Sequence, residues 1–240
     1  MRKFYLLFLL LSITFISWSQ DTTFIREQKN TSLNANGNEL STKHYVTDNN
    51  ATGKITARVS FYGGAGYLID PLNKIISYDY SPYINKLKIG YLYGAEFSVF
   101  PKDLIGVGVK YMIFHDNYNY APLGDEDNFS TTYVGLAISI KRPTPLKPLS
   151  FIGSLSLGYL TNSNSGSQTY GPWHADGSSI GGTVDAGLDF RINPHLAIGI
   201  DLLVLGGDIK SYILNGTTLK LAKPDNVLRT DLTGGLRFFF

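Results

Sequence analysis

The sequence predicts an all-β chain: an eight-stranded antiparallel up-and-down transmembrane β-barrel, preceded by an N-terminal signal peptide and a flexible leader. Three observations carry this. From Lys54 onward apolar residues alternate with small or polar ones at a period of two, the pattern of strands whose two faces meet different media. The connections between these segments are long and short by turns, as in membrane barrels with short turns on one side and long loops on the other. The final segment, LRTDLTGGLRFFF, places Leu228, Thr230, Leu232, Gly234, Leu236, Phe238 and Phe240 on one parity and Arg229, Asp231, Thr233, Gly235, Arg237 and Phe239 on the other. In a membrane, the charges on that second face avoid lipid only by pointing into a closed lumen.

Composition narrows the alternatives. A barrel of 240 residues is normally one unit. A net charge of +2, with basic and acidic residues nearly balanced, gives no footprint for nucleic acid. With no cysteine there is neither a disulfide framework nor a thiolate site, and four histidines offer no metal-ligand spacing, so no metal and no cofactor are expected. A mean hydropathy of -0.02 suits a barrel, in which only alternate residues face lipid.

Residues 1–20 read as a signal peptide. Arg2 and Lys3 supply the positive start and Phe4 to Ile16 the apolar stretch. Ser17-Trp18-Ser19-Gln20 is the small-residue exit, with cleavage near Ser19 or Gln20. Residues 21–53 are rich in Asn, Thr, Ser, Asp and Glu, without a sustained period. They read as a flexible periplasmic leader, with a short strand around Phe24-Ile25-Arg26 as the alternative. The barrel occupies residues 54–240.

The first barrel segment turns Ile55, Ala57, Val59, Phe61 and Tyr67 outward and Arg58, Ser60, Tyr62, Gly64 and Gly66 inward. After a long connection, the second has Leu87, Ile89, Tyr91, Tyr93, Phe97 and Val99 out against Lys88, Gly90, Gly94, Glu96 and Ser98, and stops at Pro101, which cannot donate to a ladder. The third alternates Ile105 to Ile113 against Gly106, Gly108, Lys110 and Met112, and the fourth alternates Val134 to Ile140 against Thr131 to Lys141, with a polar loop between them at Asp116 to Asn128. The fifth shows Leu149, Phe151, Leu155, Leu157 and Tyr159 and hides Ser150, Ser154, Ser156 and Gly158, ahead of the longest loop, Thr161 to Ser179. The sixth hides Thr183, Asp185, Gly187, Asp189 and Arg191 and turns at Asn193-Pro194-His195. The seventh sets Leu196, Ile198, Ile200, Leu202 and Val204 against Ala197, Gly199 and Asp201. A loop at Asn215 to Val227 leads to the last strand. Phe100, Phe151, Phe190 and Phe238 to Phe240 on one rim, with Tyr67, Tyr91, Tyr159 and Tyr212 nearer the other, read as interfacial girdles.

A soluble lipocalin-like carrier would turn the apolar face inward. The apolar face here carries more bulk than a small barrel encloses, while the other is rich in Gly, Ser and Thr, so the small face belongs inside. Parity then sends Arg58, Lys88, Lys110, Lys141, Arg191, Arg229 and Arg237 into the lumen with Glu96, Asp185, Asp189, Asp201 and Asp231, seven cations against five anions. In an eight-stranded interior these groups meet, so the expectation is a plugged barrel, with a small-solute pore as the alternative.

No catalytic constellation is recognised. An outer-membrane lipid-modifying enzyme would need a nucleophile and base at the lipid interface. His115-Asp116 and Trp173-His174 with Asp176 match no such spacing, and His44 and His195 lie elsewhere. Gly63-Gly64-Ala65-Gly66 and Gly181-Gly182 precede no helix, which makes a phosphate cradle a poor reading. The loop TNSNSGSQTYGPWHADG combines adaptable polar residues with Tyr170, Trp173 and His174 and is the candidate surface-recognition loop, suited to adhesion or to a protein partner.

The span from Lys54 to Phe240 resembles the OmpA-like eight-stranded outer-membrane β-barrel family, including barrels of the kind common in Bacteroidetes. The resemblance rests on the architecture and on the terminal motif Gly235, Phe238 and Phe240; Gly234 departs from it, since a polar residue is usual there. It implies insertion into the outer membrane by the barrel-assembly machinery and a structural, adhesive or accessory role.

Overall fold

The computed structural model describes residues 26–33, 39–46, 55–69, 89–101, 104–120, 125–146, 148–168 and 171–240. The targeting segment, residues 1–20, lies outside them. The chain forms two compact units that divide at Thr52 and Gly53. In the first, β1 (Arg26–Leu33) and β2 (Glu39–Val46) make an antiparallel hairpin, Arg26 opposite Val46 and Leu33 opposite Glu39. The stretch read as a flexible leader thus contains a hairpin. A backbone ladder needs no apolar alternation, and alternation was the signal the reading relied on.

The second unit is a closed antiparallel sheet of β3 (Thr56–Leu68), β4 (Ile89–Phe100), β5 (Ile105–Tyr120), β6 (Asp125–Pro143), β7 (Leu149–Gln168), β8 (Gly171–Asn193), β9 (Leu196–Leu214), β10 (Thr217–Asn226) and β11 (Arg229–Phe239). Their order is β10-β9-β11-β3-β4-β5-β6-β7-β8, and pairing of β8 with β9 closes the ring. β10 and β11 are successive stretches of one stave, both paired to β9. Between them Val227 and Gly207 still exchange backbone bonds of 2.8 and 3.2 Å. The ring therefore has the eight staves that the sequence predicts. Its first and last strands meet from Leu68 opposite Arg229 to Arg58 opposite Phe239, and Ala57 and Phe240 extend the ladder by two more bonds.

The period-two parity holds on every stave. Ile89, Phe97, Val107, Leu136, Leu157, Ile200 and Leu232 stand on the outer surface, Leu136 with 73% of its area exposed. Left in water, such a surface would forfeit roughly 25 cal/mol for every Å² of apolar area, so it is a lipid-facing one. Between these positions Arg58, Ser60, Glu96, Lys110, Ser139, Asp185 and Asp201 are buried inside.

Three expectations about the ends of the barrel are corrected. The ladders run well past the expected loops, to Tyr120 and from Asp125 on β5 and β6, and to Gln168 and from Gly171 on β7 and β8. The stretch 215–227 is mostly strand: Asn215 (φ 46°) and Gly216 (φ 84°) form the tight turn between β9 and β10. Asn-Gly supplies the two positive φ angles that a type I′ hairpin turn demands. Finally, Phe100, Phe239 and Tyr212 point inward and not to the lipid side of the rims.

Candidate functional site

The lumen is the place where the topology gathers ionisable side chains from many strands. An ionic belt fills its short-turn half. The Arg58 guanidinium donates to Glu96, which also accepts from Ser98 Oγ at 2.7 Å and Ser139 Oγ at 3.2 Å. Lys110 lies 3.5 Å from the other Glu96 oxygen, pairs with Asp185 across the lumen and donates to Ser154 Oγ at 2.9 Å. Ser154 in turn donates to Asp185 at 2.7 Å. Arg237 holds Asp201 and approaches Asp189 at 3.2 Å. Each buried charge thus faces an opposite one, the condition for keeping ions out of water at tolerable cost.

Above the belt the lumen is apolar, which the sequence reading did not foresee. Leu68, Leu92, Met112, Phe114, Phe129, Leu160, Leu203, Leu205, Ile209 and Val227 pack into one cluster with Tyr62 and Tyr133. The signal was present at inward positions of the segments, where Leu92, Met112, Leu203 and Leu205 break the small-residue pattern. Embedded there is an isolated pair. Arg229, 1% exposed, donates from Nε to both Asp231 oxygens at 2.8 and 2.9 Å, with its guanidinium carbon 4.3 Å from the Phe114 ring centroid.

The short-turn mouth has an aromatic floor. Arg58 lies over Phe100 at 5.5 Å, while Lys141 and Arg191 lie over Phe239 at 4.7 and 4.6 Å. Belt, cluster and floor leave a cavity of about 20 Å³ lined by Arg58, Glu96, Lys110, Asp185 and Arg237, room for about one water molecule. Of the twelve inward charges expected, eleven are placed inside and nine of them pair; Lys88 lies outside the described residues.

The terminal motif divides by parity. Phe238 and Phe240 face outward, whereas a Cβ on Gly235 would sit 2.1 Å from the Phe61 carbonyl oxygen, so close approach of β3 requires glycine there. The candidate recognition residues lie on strand and not on a loop: Trp173 and His174 open β8, with His174 Nε2 2.8 Å from Asp176 Oδ2, while Tyr170 lies outside the described residues. His115 sits on the outer wall between Tyr91 and Tyr93, its Nε2 3.4 Å from the Tyr93 hydroxyl. His195 is tied to the last strand, Nδ1 3.0 Å from the Phe239 carbonyl oxygen. Among the described residues no three metal-ligating side chains converge.

No protein-family model and no curated protein sequence matches the chain. Solved structures do. Neisserial surface protein A is 14% identical, with a TM-score of 0.47, over 78% of this chain and 97% of its own. Ail, the attachment invasion locus protein of Yersinia pestis, is 13% identical, with a TM-score of 0.46, over 78% of this chain and 99% of its own. A major outer membrane protein from Thermus thermophilus is 12% identical, with a TM-score of 0.51, over 77% of this chain and 99% of its own. At that identity the Thermus likeness speaks to the fold alone: the closed antiparallel ring of this chain is one that an outer-membrane protein uses.

Proposed function

We propose that the protein is an integral outer-membrane β-barrel with a closed lumen, whose long hairpins stand outside the cell as a rigid surface for adhesion or for a membrane assembly. The observation that carries the closed lumen is the stacking of ionic belt and apolar cluster, in which the cavity among the belt charges holds about one water. In this reading the signal peptide is removed near Ser19 or Gln20, the short turns face the periplasm, and the barrel-assembly machinery engages the last strand through Gly235, Phe238 and Phe240. The interaction role is supported by asymmetry of the wall: β11 begins opposite Leu205, yet β9 continues to Leu214, paired on one side to β8 and on the other to β10. Paired strands make a stiff scaffold, and connections held up by a rigid scaffold commonly carry binding residues.

Planar-bilayer recordings test the first half. The refolded protein gives no stable conductance, and large, long-lived open channels would overturn the closed lumen. For the second half, residues 165–174 are replaced by a two-residue Asn-Gly turn so that Asn164 and Ala175 still pair. Cell attachment or co-purifying partners should fall; if both are unchanged, this hairpin is not the interaction surface.

A further inference from the structure

At the short-turn mouth two cations share one ring. Phe239 is buried, with the Arg191 guanidinium carbon 4.6 Å and Lys141 Nζ 4.7 Å from its centroid. The three residues come from β8, β6 and β11, so the barrel wall fixes their meeting. Both cations are only half-buried, which puts them at the opening. The cations deeper in the lumen are matched to carboxylates, Arg58 to Glu96 and Arg237 to Asp189 and Asp201. Arg191 differs: among the described residues no carboxylate lies within ion-pair distance of it, and its partner is the ring. A guanidinium laid on an aromatic face keeps its N–H donors in its own plane, ready for a second partner at the edge.

We propose that this mouth is an oxyanion site, in which Arg191 and Lys141 over Phe239 take a carboxylate or phosphate group. The fork of Arg191 provides paired donors for two oxygens of one anion, and Lys141 adds a compact charge beside it. Phe239 and Phe100 form the floor beneath, so the anion is held at the mouth and does not pass. Two sources share this chemistry, a phospholipid headgroup at the rim and a soluble polyanion. That the ligand is periplasmic rests on the orientation proposed above; the site itself does not.

The full-length protein in nanodiscs, open at both ends, tests the site without reference to orientation. In discs of zwitterionic phosphatidylcholine alone, pyrophosphate and poly-L-glutamate are titrated separately while the backbone amide signals of Phe239 and Ile192 are followed. A saturable shift is expected, weakened about tenfold in Arg191→Gln and lost in Arg191→Gln/Lys141→Gln, with Lys220→Gln on the opposite end unchanged. In discs containing phosphatidylglycerol, a shift present before any addition assigns the anion to lipid, and a shift only on addition assigns it to a soluble source. Correct folding is checked by heat-modifiable gel migration, and Arg191→Gln alone carries the comparison if the double variant does not fold. No saturable shift in any disc, or equal affinity in Arg191→Gln, overturns the proposal.

Discussion

Lys110 of β5 and Asp185 of β8 pair across the lumen although β6 and β7 separate them along the wall. The same ammonium also neighbours Glu96, so one cation ties two carboxylates from opposite sides of the ring. Lys110→Met strands both acids in a buried site and should destabilise the barrel by about 3–5 kcal/mol, read as a lower urea midpoint in detergent micelles. Replacing Asp185 by Leu in the same chain should recover part of the loss. A Lys110→Met midpoint equal to wild type would mean the pair is not a structural tie.

Two glycines of the barrel wall separate space from pattern. A Cβ on Gly90 would stand 2.4 Å from the Phe114 ring, whereas one on Gly234 meets nothing nearer than 3.8 Å. Gly90→Ala should therefore lower the yield of folded, heat-modifiable protein and Gly234→Ala should leave it unchanged. Equal yields would show that Phe114 can move aside.

Parity also separates the terminal phenylalanines. Phe239 is enclosed among cations inside, and Phe240 is 68% exposed outside. Phe239→Ala should cost about 3–5 kcal/mol in detergent, in the range for a buried aromatic. Phe240→Ala should leave that stability alone and, if the terminal motif is an assembly signal, reduce the amount inserted in cells. Matching losses in detergent would contradict the division.

Above the start of β11, the Tyr212 hydroxyl donates to Asp225 at 2.9 Å and joins β9 to β10. Burial, and then the neighbouring carboxylate, push its phenol above the ordinary tyrosine value. A raised folded value means that the stabilisation is complete below about pH 10 and fades as pH climbs beyond it. The protection of the Leu219 amide, its exchange rate relative to the base-catalysed rate of an unstructured peptide at the same pH, should fall on alkalinisation, and Tyr212→Phe should remove that dependence. Loss of protection at Leu219 that persists in Tyr212→Phe would place its origin elsewhere.

The wall was legible because parity is a local property: Ile198, Ile200 and Leu202 need only their own neighbours to declare a face. The charges of the belt followed from the same parity, but their partners did not. Lys110 and Asp185 are 75 positions apart, and only the closed register brings them together. The apolar half of the lumen was hidden because Leu203 and Leu205 sit in the run LLVL, where both parities are apolar and the inward face loses its contrast. Asn215-Gly216 carries the signature of a hairpin turn, but the polar residues after it resemble a loop, and only their pairing with β9 makes them strand. The β1–β2 hairpin offered no amphipathic face at all.

The leucine and phenylalanine cluster inside the lumen gives this barrel a dry heart of its own, independent of whatever surrounds it. Stripping away acyl chains removes the coat but leaves that heart in place. The molecule should consequently tolerate exchange between detergents, amphipols and bilayers of differing thickness with little change in its innermost amide protection, while the residues that greet each new solvent adjust around it.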